Sequence, residues 1–457
     1  MKKLKLIDAI MLVMGSMIGS GIFIVTSDMM RNLGSGYWVI TVWIITGIMT
    51  VAAAVSYGEL SSIFPKAGGQ YTYITEIFGK MAGFLYGWGL FTVIQTGTIA
   101  AVAVAFGKFT AYLIPSLGEA APIIEYGTWK ITWLQILAIF IILLLTYINT
   151  KGIKSGSILQ NIFTSSKVIA LLALIILGFI LVETSHWGSN MSYGWEAFQN
   201  MKQEGWQPIS GIAIMGGIAA AMTGSVFSSN AWENVTFVSG EIENPTKNVV
   251  KSMILGTTAV MILYILTNFI YLHALDRDGI AFAANDRVAV VASKNIFGSI
   301  GTYFIAILVM ISTFGCVNGI VLAGARVFQT MAKDGLFLKA AIENNKNGVP
   351  EKSLWMQGIW ASLLCLSGQY GDLLDMISFV IVLFYMMTVF GVIYLRIKKP
   401  ELERPYKTWL YPLPPIVYLI IGSAFCILLF IYKPQYTWPG LLLILLGVPV
   451  YFFMKKK

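Results

Sequence analysis

The chain has 457 residues, 57% of them hydrophobic and 12% charged, with a mean hydropathy of +0.75, whereas soluble domains carry about 25% charged residues. That composition excludes an ordinary soluble protein and makes a bilayer the expected solvent. The net charge of +9 suggests a polyanionic partner only until the charges are placed along the chain, and their placement argues against nucleic acid.

A transmembrane helix needs about 20 mostly apolar residues, and twelve such stretches follow one another. They run over 7–27, 37–63, 82–115, 131–149, 157–183, 209–240, 248–273, 299–332, 355–370, 373–396, 409–432 and 437–454. The first follows Met1-Lys2-Lys3-Leu4-Lys5 and lacks a small-residue cleavage site, so it is expected to be a span and not a signal peptide. With the N-terminus inside, 22 Lys and Arg fall on the inner side, from Lys2, Lys3 and Lys5 to Lys455, Lys456 and Lys457. Seven fall outside: Arg31, Lys130, Lys202, Arg277, Arg287, Lys294 and Lys433. Acids divide almost evenly, so this is the positive-inside pattern, and both termini are expected in the cytoplasm. Cys316, Cys365 and Cys426 lie inside predicted spans and read as packing residues, not disulfide partners.

The longest outer connections, 184–208 and 274–298, are too short for soluble domains. The fold class expected is therefore an all-α integral membrane protein of twelve helices. Gly-containing interruptions fall in spans 1 and 6, the opening members of two five-span sets, 1–183 and 209–396. Five is odd, so the second set starts on the opposite side, which gives a 5+5 inverted repeat with discontinuous helices 1 and 6. Residues 397–457 add two further spans with a packing or oligomer role.

Span 1 is interrupted at Gly15-Ser16-Met17-Ile18-Gly19-Ser20-Gly21. Glycine costs about 1 kcal/mol against alanine within a helix, and unpaired backbone in a bilayer is tolerated only where it lines a cavity or is covered by protein. Once unwound, the outer half-helix presents the amides of Ser20, Gly21 and Ile22, and the inner half ends in the carbonyls of Met17 and Ile18. Amides suit a carboxylate and carbonyls an ammonium, a pairing that describes an α-amino acid. Close helix packing through Gly15-x-x-x-Gly19 is the alternative. The polar run from Gly216 to Asn234 in span 6 supplies a second interruption at the matching place, the pattern that points to a substrate site.

Lys167 stands out independently. The apolar run after it, Val168 to Val182, reaches only about 22 Å, short of a ~30 Å hydrocarbon core, so span 5 starts earlier and the lysine sits within the membrane. A functional charge and snorkelling to the inner interface are the two readings. Glu59 lies ~33 Å along span 2, near the inner interface, and reads as structurally paired. Asn268 and Asn318 read as hydrogen-bond glue between helices, and His186 and His273 lie near outer loop ends.

Six segments in order resemble the amino acid-polyamine-organocation transporters, most closely their L-type amino-acid transporter branch. They are GSMIGSGIF (15–23), FPKAGGQYTYITEIFG (64–79), VFSSNAWENVTFVSGEIENPTKNV (226–249), STFGCVNG (312–319), ARVFQTMAKDG (325–335) and RIKKPELERPYK (396–407). The resemblance spans essentially the whole chain. It implies Na⁺-independent exchange of neutral L-amino acids by alternating access in the plasma membrane, with no cofactor or metal. Carried over residue by residue, the substrate carboxylate meets the backbone at Ser20 and Gly21, with Gly19 beside them in the binding site, and the amine meets carbonyls of Met17, Ile18, Phe227 and Asn230. Phe227 is then the outer gate, with a core or lipid-facing aromatic as the alternative. Lys167 takes the place of a coupling cation, contacting the span 1 break and the hydroxyl of Ser312. Tyr264 sits near the substrate and the inner break, unless it is a structural tyrosine. Glu233 is either proton-sensitive or buried against a partner.

Two departures refine the expectation. Animal light subunits of the branch use a cysteine in the outer loop between spans 3 and 4 to join a heavy chain, and 111–130 contains none, which implies a stand-alone carrier. The span 10 stretch from Val380 to Tyr385 lacks the polar residues of some relatives; with the small Ser228 and Ser229 it favours neutral substrates such as alanine or serine. Against an enzyme, two peripheral histidines provide neither metal spacing nor a nucleophile beside a base. A non-transporting receptor on the same fold and a proton-coupled symporter, in which Lys167 or Glu233 titrates, are the remaining alternatives.

Overall fold

The computed structural model of the protein describes residues 3–118, 122–126, 129–366 and 370–455. Outside them lie Lys2, Lys456 and Lys457 of the inner charges, positions 119–121 and 127–128 between spans 3 and 4, and 367–369 at the end of predicted span 9.

Among the described residues, nine helices are long and apolar enough to cross a membrane: Gly36–Ile63, Lys80–Leu113, Trp133–Thr150, Gln160–Leu181, Pro245–Ala274, Val288–Lys333, Leu374–Lys398, Leu413–Tyr432 and Thr437–Met454. They fall on predicted spans 2, 3, 4, 5, 7, 8, 10, 11 and 12, and span 9 covers the shorter Glu351–Leu364. Spans 1 and 6 are broken. Span 1 consists of Leu6–Met17, a tight turn at Gly21–Phe23 and Val25–Leu33. Span 6 consists of Ile212–Ser228, an irregular stretch and Asn234–Phe237. Gly34, at φ +61°, ends the outer half of span 1 in the left-handed conformation that closes many helices, and Pro245 opens span 7 at a first-turn position where its missing N–H costs nothing.

The connections hold more structure than the sequence suggests. Residues 184–208 include the short helix Trp187–Met191, and Ala197–Gln199 pairs antiparallel with Gln207–Ile209. A second small ribbon joins Pro122–Tyr126 to Trp129–Thr132. In Val288–Lys333, Gly298 departs from helical geometry at φ +69°, ψ −163°, so 288–297 is a separate helix and the long apolar part of span 8 starts after it. Span 3 contains a wide π turn at Leu90–Ile94 between Lys80–Gly89 and Gln95–Leu113.

The inner half of span 1 packs against spans 5, 7 and 8, while its outer half packs against Ile212–Ser228. Both breaks thus face the middle of the bundle. The end of the bundle where span 2 finishes is tied together by segments that carry the resemblance. Glu59, 1% exposed, accepts from Arg396 at 2.9 and 2.7 Å and from the Thr408 amide at 2.7 Å, with Arg404 3.2 Å away. It is the structural pairing expected, and it pins the segment after span 10 to span 2. Glu59→Gln removes the charge that two arginines share; we expect a loss of about 1.5–3 kcal/mol, the scale of a charge-assisted hydrogen bond. Thermal unfolding in detergent should show a lowered Tm, and an unchanged Tm would count against this clamp.

Candidate functional site at the two helix breaks

The two interruptions line one cavity. Its walls are Ser16, Met17, Gly19, Ser20 and Gly21 from span 1, Phe227, Ser228, Asn230 and Ala231 from span 6, Thr98 and Val102 from span 3, and Cys316 and Ile320 from span 8. At its centre the two breaks touch: a Cβ built on Gly21 would collide with the Ser228 hydroxyl and lie 2.7 Å from its Cβ and 3.1 Å from its Cα. Only glycine allows that approach. Ala231 adopts φ +68°, a left-handed conformation costly for a residue with a Cβ and of a kind that clusters at functional sites.

Lys167 is 1% exposed. On span 5 it shares a buried face with Leu171 and Leu174, while Ile169, Ile176 and Ile180 form the exposed face. Its ammonium donates to the carbonyls of Gly15 and Ile18 at 2.6 Å each and of Ser312 at 3.3 Å. The side chain therefore runs to the span 1 break and does not snorkel. The expected contact with the Ser312 hydroxyl is corrected: Lys167 meets the Ser312 carbonyl, and the hydroxyl itself donates to Ile18 at 3.1 Å. An ammonium has only donors, so it takes the acceptors that the broken helix exposes, while the hydroxyl adds a second donor to the same carbonyl.

Other expected residues have distinct places. Ile18 lies outside the cavity lining, its carbonyl being occupied by Lys167 and Ser312. Tyr264 stands behind the lining and bridges the breaks, donating to Met17 O at 2.9 Å and Ser228 O at 3.2 Å. The Phe227 carbonyl accepts from the Asn230 amide at 3.2 Å. Ser229 turns into a neighbouring cavity with Met49, Thr50, Val226, Trp232, Val382, Tyr385 and Tyr418. Asn268 and Asn318 bridge helices through Thr26 at 2.7 Å and Asn149 at 2.9 Å. His273 meets Ser185 at 2.8 Å in the 184–208 connection, away from both cavities.

Sequence reasoning missed Ser16, Thr98, Val102, Ala231, Cys316 and Ile320 on the lining. Cys316 is a cavity wall and not merely packing; its thiol lies 3.1 Å from Ser16 O. The Ser16 hydroxyl is buried without a hydrogen-bond partner. No charged side chain is among the lining residues, and no group of metal-ligating side chains occurs among the described residues.

Two helices broken at one cavity, inside a bundle of membrane-length helices, define a multi-pass membrane transporter. A family model described as amino acid permease matches residues 4–452. The chain is 32% identical over 452 residues to the human (Homo sapiens) large neutral amino acids transporter small subunit 2, covering 99% of this chain and 80% of that protein. It is 28% identical to the Asc-type amino acid transporter 1 of Mus musculus, over 99% and 81% of the two chains. With the b(0,+)-type amino acid transporter 1 of Mus musculus it shares 27% identity over 99% and 88%. The chain belongs to the amino acid permease family. It is an amino-acid transporter and not an enzyme.

Proposed function

We propose that this transporter exchanges neutral L-amino acids without sodium, by alternating access in the plasma membrane, with alanine and serine among its preferred substrates. The observation that carries the reading is the joint cavity of the two breaks, with the Lys167 ammonium bound to span 1 carbonyls where a coupling cation could sit. The carboxylate meets the backbone of Gly19, Ser20 and Gly21. The amine meets the carbonyl of Met17, which has a second lone pair beside its bond from Tyr264, and that of Phe227, together with Asn230. The unpartnered Ser16 hydroxyl supplies a further contact. Phe227 closes the cavity from the outer side, and Ser228 and Tyr264 complete the frame.

Neutral side chains are favoured by a lining without charge, and small ones by Val102, Phe227 and Ile320. The chain crosses the membrane twelve times with both termini cytoplasmic. Residues 1–183 and 209–396 are the inverted five-span repeats, and 397–457 is an appended pair of spans. It works without a disulfide-linked heavy subunit, since 111–130 has no cysteine. The experiment is counterflow in proteoliposomes free of sodium. Labelled alanine should enter only vesicles loaded with unlabelled neutral amino acid, and serine should compete better than leucine. Binding without entry would identify a receptor, and entry into empty vesicles driven by a pH gradient would identify a symporter; either overturns the exchange reading.

A further inference from the structure

A second cavity lies toward the end of the bundle where span 1 begins. Asp8 of span 1, Gln160 and Asn161 of span 5, Glu241 after span 6 and Leu322 of span 8 are among its walls. Gln160 stands between it and the substrate cavity. A Cβ built on Gly15 would collide with the Gln160 amide and the Thr164 hydroxyl. One built on Gly319 would lie 3.0 Å from both polar atoms of that amide and 3.0 Å from the Ser16 hydroxyl. The amide is thus wedged between two glycines, beside Ser16, which is a wall of the substrate cavity.

Buried donors here have nothing to hold. Gln160 is 2% exposed, and its Nε2 lacks a hydrogen-bond partner, as does the Ser16 hydroxyl. Arg326, one turn beyond Leu322, donates from Nε to Glu241 at 3.0 Å and from Nη1 to Leu322 O at 2.8 Å, and its Nη2 is buried without a partner. Leaving a buried donor unmet costs about 1–3 kcal/mol, so these groups suit a ligand that brings acceptors. Asp8 and Glu241 offer the opposite chemistry. Asp8 accepts from Asn161 at 2.9 Å and from the Lys5 amide at 2.9 Å, and carboxylate oxygens have lone pairs to spare. Donors fit a carboxylate and acceptors fit an ammonium, and an α-amino acid carries both.

We propose that this cavity is a second amino-acid station, through which substrate passes between the helix breaks and the face where span 1 begins, with Gln160 handing it across. The proposal rests on the exchange reading and adds a site to it. In this conformation the cavity measures about 20 Å³, room for one water, so the station takes an amino acid only when the first half of span 1 moves away. The ties that part are backbone bonds: the Leu4 amide donates to Glu241 O at 2.8 Å and the Glu243 amide to Leu4 O at 2.9 Å. A site that must first open has its affinity reduced by the fraction of molecules that are open, so the station binds more weakly than the breaks do.

Equilibrium dialysis of labelled alanine against purified protein, which needs no transport, should show two saturable classes of site, one tight and one weak. Asp8→Asn and Gln160→Leu should each weaken the weak class about 10- to 100-fold, the worth of one hydrogen bond to a charged group. The tight class should persist in Asp8→Asn, which also shows that this variant is folded. In oriented proteoliposomes Asp8→Asn should raise KM on the face where span 1 begins and leave KM on the other face as it is. A single class in the wild type, a weak class that survives both variants, or equal KM changes on the two faces overturns the proposal. If both classes bind and Asp8→Asn removes the weak one while no exchange occurs, the transport reading fails and the second site stands.

Discussion

Replacing Lys167 with alanine should lower the exchange rate about 100-fold in proteoliposomes, while the purified carrier is expected to keep its elution profile and helical content. The ammonium joins spans 1, 5 and 8 through carbonyls of Gly15, Ile18 and Ser312. A hydrogen bond to a charged group contributes about 1.5–3 kcal/mol, and the loss of one such bond from the transport-competent arrangement accounts for the expected factor. The fold survives because the helices still pack through Leu171 and Leu174 of span 5, both buried. Lys167→Ala with wild-type rate and wild-type inside–outside asymmetry would show that the lysine only fills space.

Gly21→Val has an effect of similar size for a different reason. Its Cβ would enter the space held by Ser228, whose backbone Cα stands 3.1 Å away, and forcing extra methyl groups into packed contact costs about 1–3 kcal/mol. The strain falls on the junction that holds both halves of the substrate site, so we expect about 100-fold weaker exchange. Gly188→Val is the control, since a Cβ there meets nothing within 4 Å, and it should transport as the unmodified chain does. If valine at position 21 transports normally, the breaks do not work as one unit.

The sequence made some of this site legible and hid the rest for identifiable reasons. Helix breaks are local, written in Gly15, Gly19, Gly21 and the Ser-rich run of span 6, so their positions could be read directly. Lys167 was legible because a bilayer imposes a length that the apolar run after it does not meet. The Glu59 clamp was half legible: its interfacial depth foretold a partner, but only folding brings Arg396, more than 300 positions away in sequence, against it. Thr98, Val102, Cys316 and Ile320 carried no local signal. Which face of span 3 meets the breaks follows the wide turn at Leu90–Ile94, and that of span 8 follows its packing on spans 1, 3 and 5. The donor arrangement at Ile18 also escaped sequence reasoning, because Ser312 offers both a hydroxyl and a carbonyl and only geometry decides which one meets the ammonium.

Cys316 has a practical consequence. All three cysteines are buried, but among them Cys316 alone is a cavity-lining residue, part of the wall opposite Gly19 and 3.0 Å from where a Cβ would stand. The unmodified chain thus carries its own occupancy meter. The speed at which a small thiol reagent consumes this one sulfur should report how often the cavity opens and stands vacant, and bound amino acid should slow it, which would rank ligands on native protein with neither an isotope nor an engineered label.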